Sequence, residues 1–365
     1  MSFDLDSEAL VDLAAGAGIL GTGGGGDPLI GRLLVDRALG EGKRVEVLDP
    51  SEVGDDAFVI STAMMGAPSV VFEKLPAGDE AVNSMRRLEE HLGRKADVTV
   101  PMEIGGLNSM IPLTVAANAG IPVVDADGMG RAFPELQMET FGVYGVRGSP
   151  LVVSDALGHH VLIDTGEDNA RMEAFARIVT VQMGGAAYIA EYSMSGLELK
   201  RTCVPRTLSL ARDLGRSVRV AREEHRDPYA ALISAVEDSI YGYARVIATG
   251  KVVDVERSVV AGFTAGRVVI SVFDSDEQLV IDFRNENTVA RLGGRVVAIV
   301  PDLISIMELD TAAAITVESL RYGQRVRVLG IATPDVMRSA AALEVWGPRC
   351  FGLDEDWVPI EDLEP

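Results

Sequence analysis

The chain has 365 residues, 47% of them hydrophobic and 24% charged, which is enough apolar material for two or three packed domains. A formal net charge of −22 sets the protein against phosphate backbones and anionic membrane surfaces, so neither nucleic acid nor membrane is an expected partner. Its two cysteines, Cys203 and Cys350, lie far apart and outside any CxxC spacing, which argues against a structural zinc site and a disulfide framework.

The first eight residues are acidic and lack the basic start of a secretion signal, and no apolar run approaches the ~20 residues of a membrane span. The expected compartment is the cytoplasm. Asp6 or Ser7 begins a helix whose apolar positions Leu10, Val11, Ala14 and Ala15 follow the helical period. A glycine-rich loop, Gly21-Thr22-Gly23-Gly24-Gly25-Gly26, comes next. Asp27 and Pro28 suit the cap and first position of a second helix over 28–39. Short strands are predicted at 45–48 and 57–62, a helix at 79–92, a strand at 98–100, a helix at 109–119 and a buried strand at 121–124. That last strand–helix–strand run has the length of a parallel crossover. A hairpin follows, with strands 151–154 and 160–163.

From Asp168 the pattern turns helical, at 169–183, 207–223 and 228–240. After Gly250 it turns to strands, at 251–256, 266–273, 278–283, 294–299 and 325–331. The expected fold is α+β or α/β. It has an N-terminal α/β domain (1–166) with a partly parallel sheet, and then a C-terminal domain (167–365) that begins as a helical bridge and becomes β-rich.

Three segments could carry chemistry. Four consecutive glycines, Gly23 to Gly26, allow backbone N–H groups to converge just before a helix, a place that suits an anion or a developing oxyanion. A flexible tight turn would need only one of them. The loop also satisfies GxGxxG, with Asp49 following a strand, but the dinucleotide fingerprint requires a strand before the loop, and residues 7–20 read as helix. The second segment is Glu103-Ile-Gly-Gly-Leu-Asn108 and the third is Asp125-Ala-Asp127-Gly-Met-Gly-Arg131. Each lies just past a strand, at the sheet edge where open α/β sheets hold ligands.

Glu103, Asp125 and Asp127 could therefore share a proton, activate water or hold a metal. Arg131 could hold a substrate carboxylate or pair with Glu135. His159 or His160 with Asp125 or Asp127 is the one metal set the sequence suggests, without HxH or HExxH spacing to support it. The pattern demands no cofactor and leaves a divalent metal open. Arg284-Asn285-Glu286-Asn287 is read as a turn or a contact to the other domain. Cys350 has no neighbouring base.

Together, GTGGGGDP at 21–28, EIGGLNS at 103–109 and PVVDADGMGRAFPELQM at 122–138 resemble the S-methyl thiohydantoin desulfurase family, long known as DUF917. GKVVDVER at 250–257, FRNEN at 283–287, VPDLI at 300–304, LRYG at 320–323 and GPRCFG at 347–352 extend the resemblance over nearly the whole chain. The resemblance implies an N-terminal α/β domain, a C-terminal β-rich domain and chemistry on hydantoin, thiohydantoin or related lactam rings. It also implies an association with ATP-dependent hydantoinase or oxoprolinase proteins.

The expected reaction is attack of water on C2 of a five-membered ring. Glu103 or Asp127 would be the base, the amides of Gly23 to Gly26 would stabilise developing charge, Arg131 would hold a carboxylate and Asn108 would orient the ring. Two other readings stay open: a non-catalytic subunit of a hydantoinase system, and a nucleotide-dependent enzyme using the glycine loop. A homo-oligomer is expected.

Overall fold

The computed structural model describes residues 2–67, 70, 73–260 and 263–364. In the first half the strands are β1 (Phe3–Asp4), β2 (Glu46–Leu48), β3 (Phe58–Gly66), β4 (Val98–Pro101), β5 (Val123–Val124), β6 (Ala126–Asp127), β7 (Leu151–Ser154) and β8 (His160–Ile163). They are joined by β9 (Ala186–Ser195) in an eight-stranded sheet of order β1-β2-β5-β4-β3-β9-β7-β8, while β6 pairs instead with β10 (Val204–Pro205). Strands β2, β5, β4 and β3 run parallel to one another, β1 is antiparallel to β2, and β9 is antiparallel to both β3 and β7. The partly parallel sheet expected from the sequence is present, and its carboxyl edge lies at Gly66 of β3 and Pro101 of β4.

The sequence reading left 186–195 without an element. This strand is rich in alanine and buried on both faces, so it shows none of the alternation that marks a half-exposed strand. Its small side chains let the helices Glu80–Leu92 and Asn169–Gln182 pack against the sheet.

The second sheet is antiparallel throughout. It comprises β11 (Ala244–Val260), β12 (Phe263–Val272), β13 (Gln278–Arg284), β14 (Glu286–Leu292), β15 (Arg295–Ile299), β16 (Leu303–Glu308) and β17 (Arg325–Ile331), in the order β15-β14-β13-β12-β11-β17-β16. Register shifts in β11, β13 and β14 bend it into a half-barrel around a core that includes Val268, Ile281, Ala298 and Val328. The sequence reading missed β14 and β16. Both are buried on nearly every residue because their outer faces meet the N-terminal half, so neither alternates.

Between the sheets lies a layer of helices. Ser7–Leu20 is capped by Asp6, which accepts from the Ala9 amide at 2.8 Å, and Pro28–Gly40 is capped by Asp27 from the Leu29 amide at 2.8 Å. Ser7–Leu20 packs along Thr207–Glu223 more closely than side chains would permit. A Cβ on Gly16 would stand 1.8 Å from the Ala211 carbonyl oxygen, and one on Gly215 would stand 1.9 Å from that of Asp12. Among the described residues no helix is long and apolar enough to cross a membrane.

Helix propensity alone favours Gly16→Ala by about 1 kcal/mol. The clash is with a backbone oxygen that cannot rotate away, so the overpacking cost, typically about 1–3 kcal/mol or more, exceeds that gain. Urea unfolding of Gly16→Ala and Gly215→Ala should show both destabilised. A raised midpoint in either would show that the helices separate without cost.

Candidate functional site

Residues from both halves meet in a narrow slot of about 50 Å³ at the carboxyl edge of the first sheet. Met64, Met65 and Gly66 end β3, Met102 and Glu103 follow β4, and Gly24 and Gly25 come from the glycine loop. Asn285, Glu286 and Glu318 approach from the C-terminal half. The slot has room for a water or two, each of which takes about 30 Å³ of liquid volume.

The glycine loop is shaped by what lies against it. Gly23, Gly25 and Gly26 have φ of 90°, 71° and 75°, where L side chains are strained. A Cβ on Gly24 would lie 2.2 Å from Oε1 of Glu286, and one on Gly25 would lie 2.8 Å from the Gly105 carbonyl. The loop is bound on both sides: the Leu107 amide donates to the Gly25 carbonyl at 2.8 Å, the Val317 amide to Gly23 at 2.8 Å and the Asn287 amide to Thr22 at 2.9 Å. Gly24 and Gly25 line the slot, whereas Gly23 packs on the Asn287 amide group and Gly26 lies against Gly106.

Glu103 is 3% exposed and lines the slot. Its Oε1 accepts from Nδ2 of Asn108 at 2.7 Å. Asn108 is itself fixed to β3, accepting from the Met64 amide at 2.7 Å and donating to the Met64 carbonyl at 3.0 Å. Both amide hydrogens of Asn108 are thus used, and it positions Glu103. The second oxygen of Glu103 has no partner of hydrogen-bonding geometry among the described residues. Burial first, and then the charge of Glu286, push its pKa well above the usual carboxylate range.

Glu286 is the counterpart that the sequence reading placed only as a turn or domain contact. It is 3% exposed, and one of its oxygens also lacks a partner among the described residues. Burial pushes its pKa up to about 8, against the pull of the Arg131 guanidinium, with Glu318 adding a further push upward. The only sequence signal was the Glu-Asn pair straight after a strand, in a segment that otherwise reads as a turn.

Asp127 does not line the slot. It is fully buried, and its Oδ2 accepts from the amides of Ile104 (2.9 Å), Met129 (3.1 Å) and Gly130 (2.7 Å), which ties the 127–130 turn to the residue beside Glu103. Burial raises its pKa to about 7 despite those amides. Asp125 accepts from the Ser209 amide at 2.8 Å at the start of the helix Thr207–Glu223 and does not line the slot either.

Arg131 is fully buried and faces main-chain carbonyls. Nη1 donates to Pro301 (3.1 Å) and Asp302 (3.0 Å), Nη2 to Asn287 (3.2 Å) and Nε to Ala132 (3.0 Å). The expectation that it grips a substrate carboxylate is corrected by this geometry, because its donors bind the two halves together. It is not paired with Glu135, which accepts instead from Arg284 at 3.0 Å.

The proposed metal set is also corrected. His159 binds Asp155 at 2.8 Å and His160 binds Ser154 at 2.7 Å, both on the β7–β8 hairpin. Five strand spacings of about 4.8 Å separate β8 from β5, roughly 24 Å, so neither histidine reaches Asp125 or Asp127. Among the described residues no group of three or more His, Cys, Asp or Glu side chains is arranged to hold a metal ion. The strand that a dinucleotide fingerprint needs before Gly21 is absent, since the helix Ser7–Leu20 runs directly into the loop.

Two family models divide the chain: S-Me-THD-like, N-terminal domain, over residues 8–165, and S-Me-THD-like, C-terminal domain, over residues 167–360. The chain belongs to the S-Me-THD-like family. The same fold is seen in the crystal structure of a protein from Chromobacterium violaceum, with a TM-score of 0.80 and 23% identity over 98% of this chain and all of that one. No curated protein matches this S-Me-THD-like chain.

The buried carboxyls give a testable pH dependence. Glu286 and Asp127 have folded pKa values of about 8 and about 7, above their ordinary 4.5 and 3.8, so the folded state binds more protons than the unfolded chain between those limits. The contribution of these two groups to stability is fully present below pH ~4 and falls as pH rises, by about 1.4 kcal/mol per pH unit for each group within its window. Glu286→Gln should flatten the fall between about pH 4.5 and 8, measured by urea unfolding across that range. An unchanged slope would show that Glu286 is ionised throughout.

Proposed function

We propose that this S-Me-THD-like protein is a small-molecule hydrolase that removes a thiol from C2 of a hydantoin-like ring in the slot between its two halves. The observation that carries this reading is the pairing of Glu103 and Glu286, two buried carboxyls brought from different halves to one slot, each with an oxygen free of hydrogen bonds. Such a pair titrates as a unit, and with one proton between them it offers a base and an acid together.

The Arg131 guanidinium favours the ionised form of Glu286, so Glu286 is the base that takes a proton from the attacking water. The new C2–O bond forms as the C2–S bond breaks, and Glu103, kept protonated by its surroundings, gives its proton to the departing thiolate. The products are the C2 carbonyl compound and a thiol. Gly24 and Gly25 border the slot, but the Gly24 amide donates to the Gly21 carbonyl at 2.8 Å and the Gly25 amide faces Glu286, so the loop shapes the slot and steadies Glu286 instead of supplying an oxyanion hole.

A five-membered ring is larger than the slot, so entry requires Met64, Met65 and Met102 to turn aside. Unbranched thioether side chains do this readily and also suit a sulfur-bearing ligand. A second reading, a non-catalytic subunit of a hydantoinase-type assembly, draws support from Phe175, Ile178 and Val181, which form an exposed apolar stripe on the helix Asn169–Gln182.

The assay follows thiol release from S-methyl thiohydantoin. Glu286→Gln and Glu103→Gln should each lower turnover about 10²–10⁴-fold, the usual range for removing a general acid or base. The rising limb of the pH profile near 8 should vanish in Glu286→Gln. Asp127→Asn should chiefly lose stability, by about 0.5–2 kcal/mol as for other capping groups. If neither glutamate variant loses turnover, the acid–base pair is wrong. If the wild-type protein releases no thiol but binds a hydantoinase subunit through the Phe175 stripe, the second reading replaces the first.

A further inference from the structure

A second cavity, about 750 Å³, lies between the helices Ser7–Leu20 and Thr207–Glu223 and the segment 311–324. It falls within the ~300–1,000 Å³ range of small-molecule sites and is far larger than the slot. Its floor is built from small apolar residues, among them Ala14, Ala15, Gly18 and Ala314. At Gly18 the helix comes so near the 311–316 segment that a Cβ would touch that of Ala314 at 3.4 Å.

The charges on its walls depart from those of the whole chain. The chain carries 33 basic and 55 acidic residues, yet this cavity presents Arg219, Arg222, Arg257 and Arg321 against Asp12, Asp27 and Glu318. Arg219 is neutralised, with ion pairs to Asp12, Glu8 and Glu223 at 2.8, 2.7 and 3.3 Å. Arg257 donates to the carbonyls of Val317, Glu318 and Leu320 at 2.9, 2.5 and 2.8 Å and so fixes one wall. Arg222 and Arg321 are different. Both are exposed, and neither guanidinium makes a hydrogen bond, ion pair or ring contact among the described residues. In a protein with a charge of −22, two guanidiniums without a partner among the described residues thus open onto one cavity.

We infer that this cavity is a second small-molecule site, which takes an anionic amphiphile with its apolar body on the Ala14–Ala15–Gly18 floor and its carboxylate or phosphate at Arg222 and Arg321. Charge complementarity at the rim selects the anion, and the dry floor supplies most of the affinity. Glu318 lies in the walls of both this cavity and the slot, so the two sites share a partition.

The test uses the full chain and three probes with one apolar body: decanoate, decyl phosphate and decanol. Calorimetry should give one molecule per chain for decanoate or decyl phosphate, with a raised melting temperature, and binding of decanol at least about tenfold weaker. The two anionic probes distinguish a carboxylate site from a phosphate site. Arg222→Gln with Arg321→Gln should weaken the anionic probes about tenfold or more and leave decanol unchanged. Ala15→Trp, placed on an exposed helix position, should fill the floor and remove all three. Anionic binding that survives both changes, saturation at many molecules per chain, or no anionic binding at roughly 1 mM would overturn the proposal.

Discussion

The site depends on the glycine loop meeting the main chain of Gly105–Gly106 and the side chains of Glu286 and Asn287 closer than a Cβ would allow. Gly23 to Gly26 lie between Gly105–Gly106 of the first sheet's edge and Glu286–Asn287 of the second sheet. A Cβ on Gly106 would be 2.2 Å from the Gly26 carbonyl oxygen, and one on Gly24 would be 2.2 Å from the Glu286 carboxyl. This contact brings a glutamate from the C-terminal half within reach of one from the N-terminal half. Removing side chains from the loop has a conformational cost in the unfolded chain, and the hydrogen bonds from Leu107, Asn287 and Val317 hold the loop against it.

Arg131 completes the junction. A buried guanidinium without a carboxylate partner is ordinarily costly, yet here it is satisfied by four main-chain carbonyls, three of them from the C-terminal half. Burial pulls its pKa down to about 10, which still leaves it charged at neutral pH. Its charge reaches Glu286 more strongly than Glu103, and that difference separates the two acids. Behind them Glu139 and Glu191 are fully buried beside each other, and burial, with the charge of neighbouring carboxyls, drives both well upward. The interior around the site thus favours protonated acids, and at Glu286 the Arg131 guanidinium pulls against that tendency.

Much of this arrangement is legible in the sequence, and the residues show where legibility stops. The caps at Asp6 and Asp27, the helix Glu80–Leu92 and the parallel run of β4 and β5 follow from local pattern, because each is half-exposed or ended by Gly or Pro. β9, β14 and β16 are buried on both faces and carry no period to read. Within the site, Glu103 and the glycine loop stood out because carboxylates and repeated glycines past a strand are chemically unusual. Glu286 did not, because Arg131 and Gly25 lie far before it in sequence and only the tertiary contact makes it a site residue. Arg131 and Asp127 were visible as polar residues in the right segment, but sequence cannot tell a group that faces ligand from one that faces backbone.

The place of β9 in the first sheet has a consequence for how the chain is made. This strand separates β3 from β7, so until residue 195 has left the ribosome the sheet is two fragments with bare edges where β9 belongs. Unpaired edges of that kind invite pairing with other chains. The nascent N-terminal half therefore waits for sequence from beyond itself, and the long-range pairing of β3 with β9 makes folding of this sheet slow relative to one built from neighbours. A chain divided between β8 and β9 would leave the first sheet in two pieces that must find each other before its core closes.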